Sequence, residues 1–192
     1  MEIDTPDHRT AQARFEEIYL AYFSKMKRFA NEYVVSEEEA ENIVHDVFAE
    51  LWENKRMLGM SLNLIAYLFT SIKNKCLNHL RHQLVVHETA SRLQEEYLLS
   101  LRMNLDSLEL FDQRMFFEDD IEEVISRALD TLSEKCRTIF IMSKLEGKKQ
   151  KEIARELAIS VNTVETQMGI AYKKLRAELK DYLPLFLFIV CL

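Results

Sequence analysis

Two groups of residues in this chain have the types and spacing to work on a nucleic acid. The first lies in KKQKEIARELAISVNTVETQMGIAYKKLRAEL, which begins at Lys148. There Asn162, Thr163, Glu165, Thr166, Gly169 and Ile170 share the outer face of a would-be helix. Polar and apolar groups side by side on such a face can meet base edges in a major groove. Lys148, Lys149, Lys151, Lys173, Lys174 and Arg176 flank it, suitably placed for phosphates. The second group is Tyr67, Asn74, Lys75, Asn78 and Arg81, along one flank of another helical stretch. Cations, amides and a phenol together can hold phosphates and stack bases, although an ordinary solvated face has the same spacing.

Other constellations are poorer. His79 and His82 are three apart on one helix, but two histidines without a carboxylate or thiolate neighbour make an incomplete metal set. Glu41 and His45 are similarly spaced, and a solvated pair accounts for them better. No Ser-His-Asp order, Gly-rich phosphate loop or paired catalytic carboxylates can be argued, so neither an enzyme nor a cofactor or metal is expected.

The elements that must position these residues are helical. The chain has 192 residues with only 3 Gly and 2 Pro, and the prolines, Pro6 and Pro184, sit at its extremes. Nothing between them breaks a helix by removing an amide donor. In residues 10–34, Phe15, Ile18, Tyr19, Tyr22, Phe23, Met26 and Phe29 recur at helical steps. Ser36 with Glu39 three residues on is a capping box. Behind it Ala40, Ile43, Val44, Val47, Phe48, Leu51 and Trp52 form a stripe, opposite a mainly acidic face of Glu37, Glu38, Glu41, Asn42, His45 and Glu53. Gly59 marks a break, and Ser61 can cap a third helix to about His82. Residues 86–117 have weak periodicity and read as an acidic connection with some helix, part of it apolar enough to pack on something. Ile121, Val124, Ile125, Ala128 and Leu129 make a further helix, and Ser133 can cap the next, which stops at Gly147.

The segment first singled out then has helix-turn-helix grammar. Ile153, Ala154 and Leu157 line a short helix, Ala158-Ile159-Ser160 form the turn, and Ser160 can cap a longer helix. That helix turns Val164, Met168, Ala171 and Leu175 inward. Small Ala154 would sit at the helix crossing. A generic αα-hairpin has the same spacing. Glycine at 169 costs a helix interior about 1 kcal/mol relative to alanine, which close approach of DNA or mere drift at an exposed site could explain.

Charge is unevenly distributed. The net charge of −7 separates into −3 for residues 1–87, −9 for 88–134 and +5 for 135–192. Phosphate attraction follows the local field, so the average does not exclude a nucleic acid partner. Cys76, Cys136 and Cys191 are odd in number and far apart, which points to a reducing cytosol. The acidic N-terminus has no apolar h-region, so no signal peptide is expected. The final LPLFLFIVCL is strongly apolar but shorter than the roughly 20 residues that span a membrane. It could cover a groove on the second domain, drive self-association or meet an inhibitory partner; docking within the chain is the expectation.

Three ordered blocks, SEEEAENIVHDVFAELWENK, NLIAYLFTSIKNKCLNHLR and TLSEKCRTIFIMSKLEGKKQKEIARELAISVNTVETQMGIAYKKLR, resemble bacterial RNA polymerase sigma factors. The similarity is to the small extracytoplasmic-function (ECF) type of the sigma-70 family and covers most of residues 12–180. It implies an all-α protein of two small helical domains, the C-terminal one a helix-turn-helix bundle. A region 2-like domain would occupy residues 10–85, an acidic linker 86–117, a region 4-like domain 118–182 and the apolar tail 183–192. It further implies that Glu41, Asp46, Phe48, Leu51 and Trp52 bind core RNA polymerase. Tyr67, Asn74, Lys75, Asn78 and Arg81 would melt the −10 element by capturing a flipped base. Asn162, Thr163, Glu165, Thr166, Gly169 and Ile170, with Lys149, Lys173 and Lys174, would bind the −35 element. Implied partners are promoter DNA and an anti-sigma factor, with a cytoplasmic location and no small-molecule substrate.

Departures from the family pattern are visible. The turn often holds Gly where this chain has Ala158, and a left-handed alanine there is strained by about 1–2 kcal/mol. Many relatives carry Lys or Arg where Glu165 stands, so this reader is less basic, and its DNA affinity would come largely from the polymerase. The competing class is a helix-turn-helix regulator that binds an operator without polymerase.

Overall fold

The computed structural model describes residues 8–55, 58, 62–90, 95–114 and 118–192; Gly59 and Ser61 lie outside them. The described residues form helices and no strands: α1 (His8–Asn31), α2 (Glu37–Glu53), α3 (Leu62–Ala90), α4 (Glu95–Arg114), α5 (Glu118–Asp130), α6 (Glu134–Lys144), α7 (Gln150–Glu156), α8 (Val161–Glu178) and α9 (Leu183–Cys191). They fall into two compact units, Met1–Arg114 and Met115–Leu192.

In the first unit α1 packs on α2, and both pack on α3. Ile18, Tyr22, Met26 and Phe29 of α1 meet Val44, Val47, Phe48 and Leu51 of α2 and Leu68, Phe69 and Ile72 of α3 in one buried core. Ser36 accepts the Glu39 amide at 3.4 Å. Only that half of the expected capping box forms, because the Glu39 carboxylate turns to α3 and meets His79 Nε2 at 3.2 Å and Gln83 Nε2 at 3.3 Å.

Two boundaries differ from expectation. Helix α3 runs to Ala90, past His82, with Leu84 still buried. Residues 95–114, expected to lie in a connection, form a full helix on α3. Leu101, Leu108 and Phe111 are buried, Asn104 donates to the Tyr33 carbonyl at 3.1 Å, and the Phe111 ring stands 5.1 Å from Phe69. The apolar content of this segment therefore serves the first unit, whose compact body extends to Arg114.

In the second unit α5, α6, α7 and α9 gather around α8. Ile121, Val124, Ile125, Ala128 and Leu129 are buried, as are Cys136, Ile139 and Phe140. Ser133 takes the N-cap backbone position of α6 but its side chain makes no cap hydrogen bond. The apolar tail is α9, with Pro184 at its start and Leu185, Phe188, Ile189 and Leu192 buried on the unit. Lys144 Nζ reaches back from α6 to the Val190 carbonyl at 2.8 Å and satisfies part of the helix end.

Candidate nucleic-acid interface

Helices α7 and α8 form the helix-turn-helix. Ile153 and Ala154 of α7 face inward, against Val164, Met168, Ala171 and Leu175 of α8, all buried. The turn is a Schellman motif: Ile159 N–H reaches the Ala154 carbonyl at 2.9 Å and Ala158 N–H the Arg155 carbonyl at 3.3 Å. That closure needs a left-handed residue, and Ala158 has φ 51°. Gly147, which ends the α6 segment with φ 67°, fills the same conformational need without a Cβ. Ser160 then caps α8, accepting the Thr163 amide at 3.0 Å.

The outer face of α8 is open. Asn162, Glu165, Thr166, Gly169 and Ile170 are exposed and Thr163 is half-buried. Two of the hydroxyls are engaged at home: Thr163 Oγ1 lies 2.8 Å from Ser160 Oγ, and Thr166 Oγ1 donates to the Asn162 carbonyl at 2.8 Å. Around this face Lys149, Lys151, Lys173 and Arg176 are exposed and form no ion pair among the described residues. Lys174 donates to the Thr131 carbonyl at 2.8 Å and so ties α8 to the α5–α6 turn. Lys148 is held between Glu156 at 2.7 Å and Glu146 at 2.9 Å, and these partners raise its pKa above the ordinary lysine value. The flanking cations therefore divide into four outward ones and two engaged within the unit.

On α3, Asn74 and Asn78 are exposed and Tyr67 is half-buried. Lys75 pairs with Glu50 at 2.8 Å and Asp46 at 3.6 Å. Partial burial works against its charge, but the two carboxylates outweigh it and raise its pKa. Arg81 binds Glu109 of α4 through Nε at 3.0 Å and a terminal nitrogen at 2.9 Å. Both cations of this group thus already hold protein carboxylates. Such partly exposed pairs are worth only about 0–1 kcal/mol, so a phosphate can replace the carboxylate at small cost.

The expected polymerase-binding residues separate. Phe48 and Leu51 are buried, which removes Leu51 from the surface altogether and leaves Phe48 at most as a floor. A broad apolar stripe on α2 needs an interior partner, and α1 and α3 supply it. Glu41 pairs with Lys27 at 2.6 Å, a hydrogen bond that lowers the pKa of Glu41. Asp46 lies 3.6 Å from Lys75, which also holds Glu50, so part of the acidic face of α2 is screened within the unit. What stays open is an aromatic depression of about 550 Å³ between α1 and α2, lined by Gln12, Phe15, Tyr19, His45, Phe48, Ala49 and Trp52. Phe15 and Trp52 meet edge-on at 5.0 Å, Tyr19 and Phe48 at 4.9 Å, and Lys55 Nζ stands 4.8 Å over the Trp52 ring. In the sequence Phe15 and Tyr19 stand out only as members of the apolar stripe of α1. Their stripe on α1 is wider than one buried seam requires, and that width is the signal for a second, open face.

Two family models match the chain in the order its geometry suggests. Residues 18–84 match Sigma-70 region 2, which spans α2 and most of α3, and residues 122–175 match Sigma-70, region 4, which ends inside α8. The chain belongs to the sigma-70 family. Pairing of these two regions is the ECF-type arrangement. No curated protein matches it. Sigma factors of this family are non-enzymatic initiation factors that bind core RNA polymerase and direct it to promoter DNA. No helix among the described residues is long and apolar enough to cross a membrane.

Proposed function

We propose that this sigma factor reads its promoter at two places: α8 lies in the major groove of the −35 element, and α3 captures unstacked bases of the −10 element. The observation that carries the first half is the open face of α8, bordered by four outward cations on a helix-turn-helix whose inner face is fully packed. Asn162, Glu165 and Ile170 face base edges, while Lys149, Lys151, Lys173 and Arg176 take phosphates. Glu165 accepts from a cytosine amino group. On α3, Asn74 and Asn78 meet base edges, Tyr67 offers a ring to stack on, and Lys75 and Arg81 exchange their carboxylates for the strand backbone. Unstacking a base costs a few kcal/mol, which the pocket contacts and the polymerase offset together.

Docking on core polymerase falls to the aromatic depression between α1 and α2, with Trp52 and His45 at its edge and Glu41 and Asp46 beside it. An apolar surface of this kind, open in the free chain, is also where an anti-sigma factor would act by covering it. The protein works in the cytoplasm. A gel shift with and without core polymerase tests the proposal: specific promoter duplex is bound by the holoenzyme and far more weakly by the free chain. Nanomolar binding of a specific duplex without polymerase would instead identify an autonomous regulator.

A further inference from the structure

Gly169 has no role inside the protein. Its backbone is ordinary helix, so no left-handed φ requires it, and a Cβ built there meets no atom within 4 Å. Mid-helix glycine nevertheless weakens α8 relative to alanine. Its neighbours on the reading face share a second property. Ile170 keeps 41% of its surface exposed, while Val164, Met168, Ala171 and Leu175 of the same helix are buried. The Thr166 hydroxyl proton is committed to the Asn162 carbonyl, which leaves the side chain a methyl group and an acceptor oxygen. Thr166, Gly169 and Ile170, at i, i+3 and i+4, therefore form a patch without a donor, hollow in the middle and aliphatic at the rim.

We infer that this patch reads the C5-methyl group of a thymine in the −35 element, with Ile170 as the contact and Gly169 as the space that admits it. The inference rests on the proposal that α8 lies in the major groove. Thymine alone among the four bases presents a methyl group there, and apolar side chains select it. Asn162 and Glu165, one turn nearer the N-terminus, supply the polar part of the code at other base pairs.

The test uses the reconstituted holoenzyme and a promoter it transcribes, with the −35 segment randomised and the library amplified with either dTTP or dUTP. Deoxyuridine pairs like thymidine and lacks only the methyl group. The wild type should select thymine at one position by about fourfold, the worth of one buried methylene-sized group, and lose that preference in the dUTP pool. Ile170→Ala should lose the same preference in the dTTP pool and leave the other positions intact. Gly169→Leu, at a site with open space around it, should fold with a melting temperature no lower than the wild type and lose selection across the segment. A thymine preference that persists in the dUTP pool or in Ile170→Ala overturns the methyl assignment while leaving α8 a reader. Absence of any base preference in the randomised segment overturns both.

Discussion

Ala158 carries a strain that one atom group explains, and its removal should be measurable. The residue holds φ 51° because the turn between α7 and α8 is closed by the Ile159–Ala154 and Ala158–Arg155 hydrogen bonds. A left-handed L-residue costs about 1–2 kcal/mol from the clash of Cβ with the backbone. Ala158→Gly removes that cost and adds about 0.4–1 kcal/mol of unfolded-chain entropy. The net is a gain of about 0.5–1 kcal/mol, or about 2–8 °C in the melting temperature of a unit this size. Circular dichroism of the full chain should show the transition of the second unit move upward. Fluorescence of Trp52, the sole tryptophan and part of the first unit, should not move. Gly147→Ala, at φ 67°, is the control: strain less the entropy gain should lower the same transition by about 0.5–1 kcal/mol. An unchanged or lowered transition in Ala158→Gly would refute the assignment of strain to this turn.

Four further outcomes follow from the same contacts. Gly169→Ala should stabilise the second unit by about 1 kcal/mol in urea unfolding, because the added methyl meets nothing and helix propensity improves. Lys173→Ala should reduce the slope of log K against log salt for duplex binding by the holoenzyme by about 0.9, as expected for one lost phosphate contact. Truncation after Tyr182 exposes the surface under Leu185, Phe188, Ile189 and Leu192; at about 1.5–3 kcal/mol for each fully buried side chain, melting temperature and solubility should both drop sharply. Acidification tests Lys27. Its hydrogen bond holds Glu41 below the ordinary value of 4.5, so the stabilisation is complete above that value and fades as pH falls through the lowered one. Chemical denaturation followed by Trp52 fluorescence between about pH 5 and 3 should show a shallower loss in Glu41→Gln than in the wild type.

Much of this protein is legible in its residues because helical periodicity is a local property. The inner face of α8 can be read from four spacings, and Ala158 announced its strain by standing where a turn wants glycine. The tail was legible in another way, since ten apolar residues must be covered and the second unit covers them. Long-range pairing was not legible. Nothing in the neighbourhood of Lys75 or Arg81 says that Glu50 and Glu109 will occupy them, because those partners come from α2 and α4. Helix α4 is hard to recognise in sequence for a related reason: its apolar residues Leu101, Leu108 and Phe111 are spaced by packing against α3 and interrupted by exposed Leu99, Met103 and Leu110. A period blurred on both faces looks like a linker until the helix it packs against is known. The aromatic depression likewise needs two helices to exist, so α1 and α2 read singly each show only a broad stripe.

Genome-wide run-off transcription with the host's core RNA polymerase, stripped of sigma factors, puts the central claim to its most direct trial. Addition of this chain should yield transcripts from a discrete set of start sites that share two spaced upstream elements, and no such set should appear with core enzyme alone. Failure of the purified chain to bind core polymerase, or start sites indistinguishable from those of the core enzyme, would contradict it.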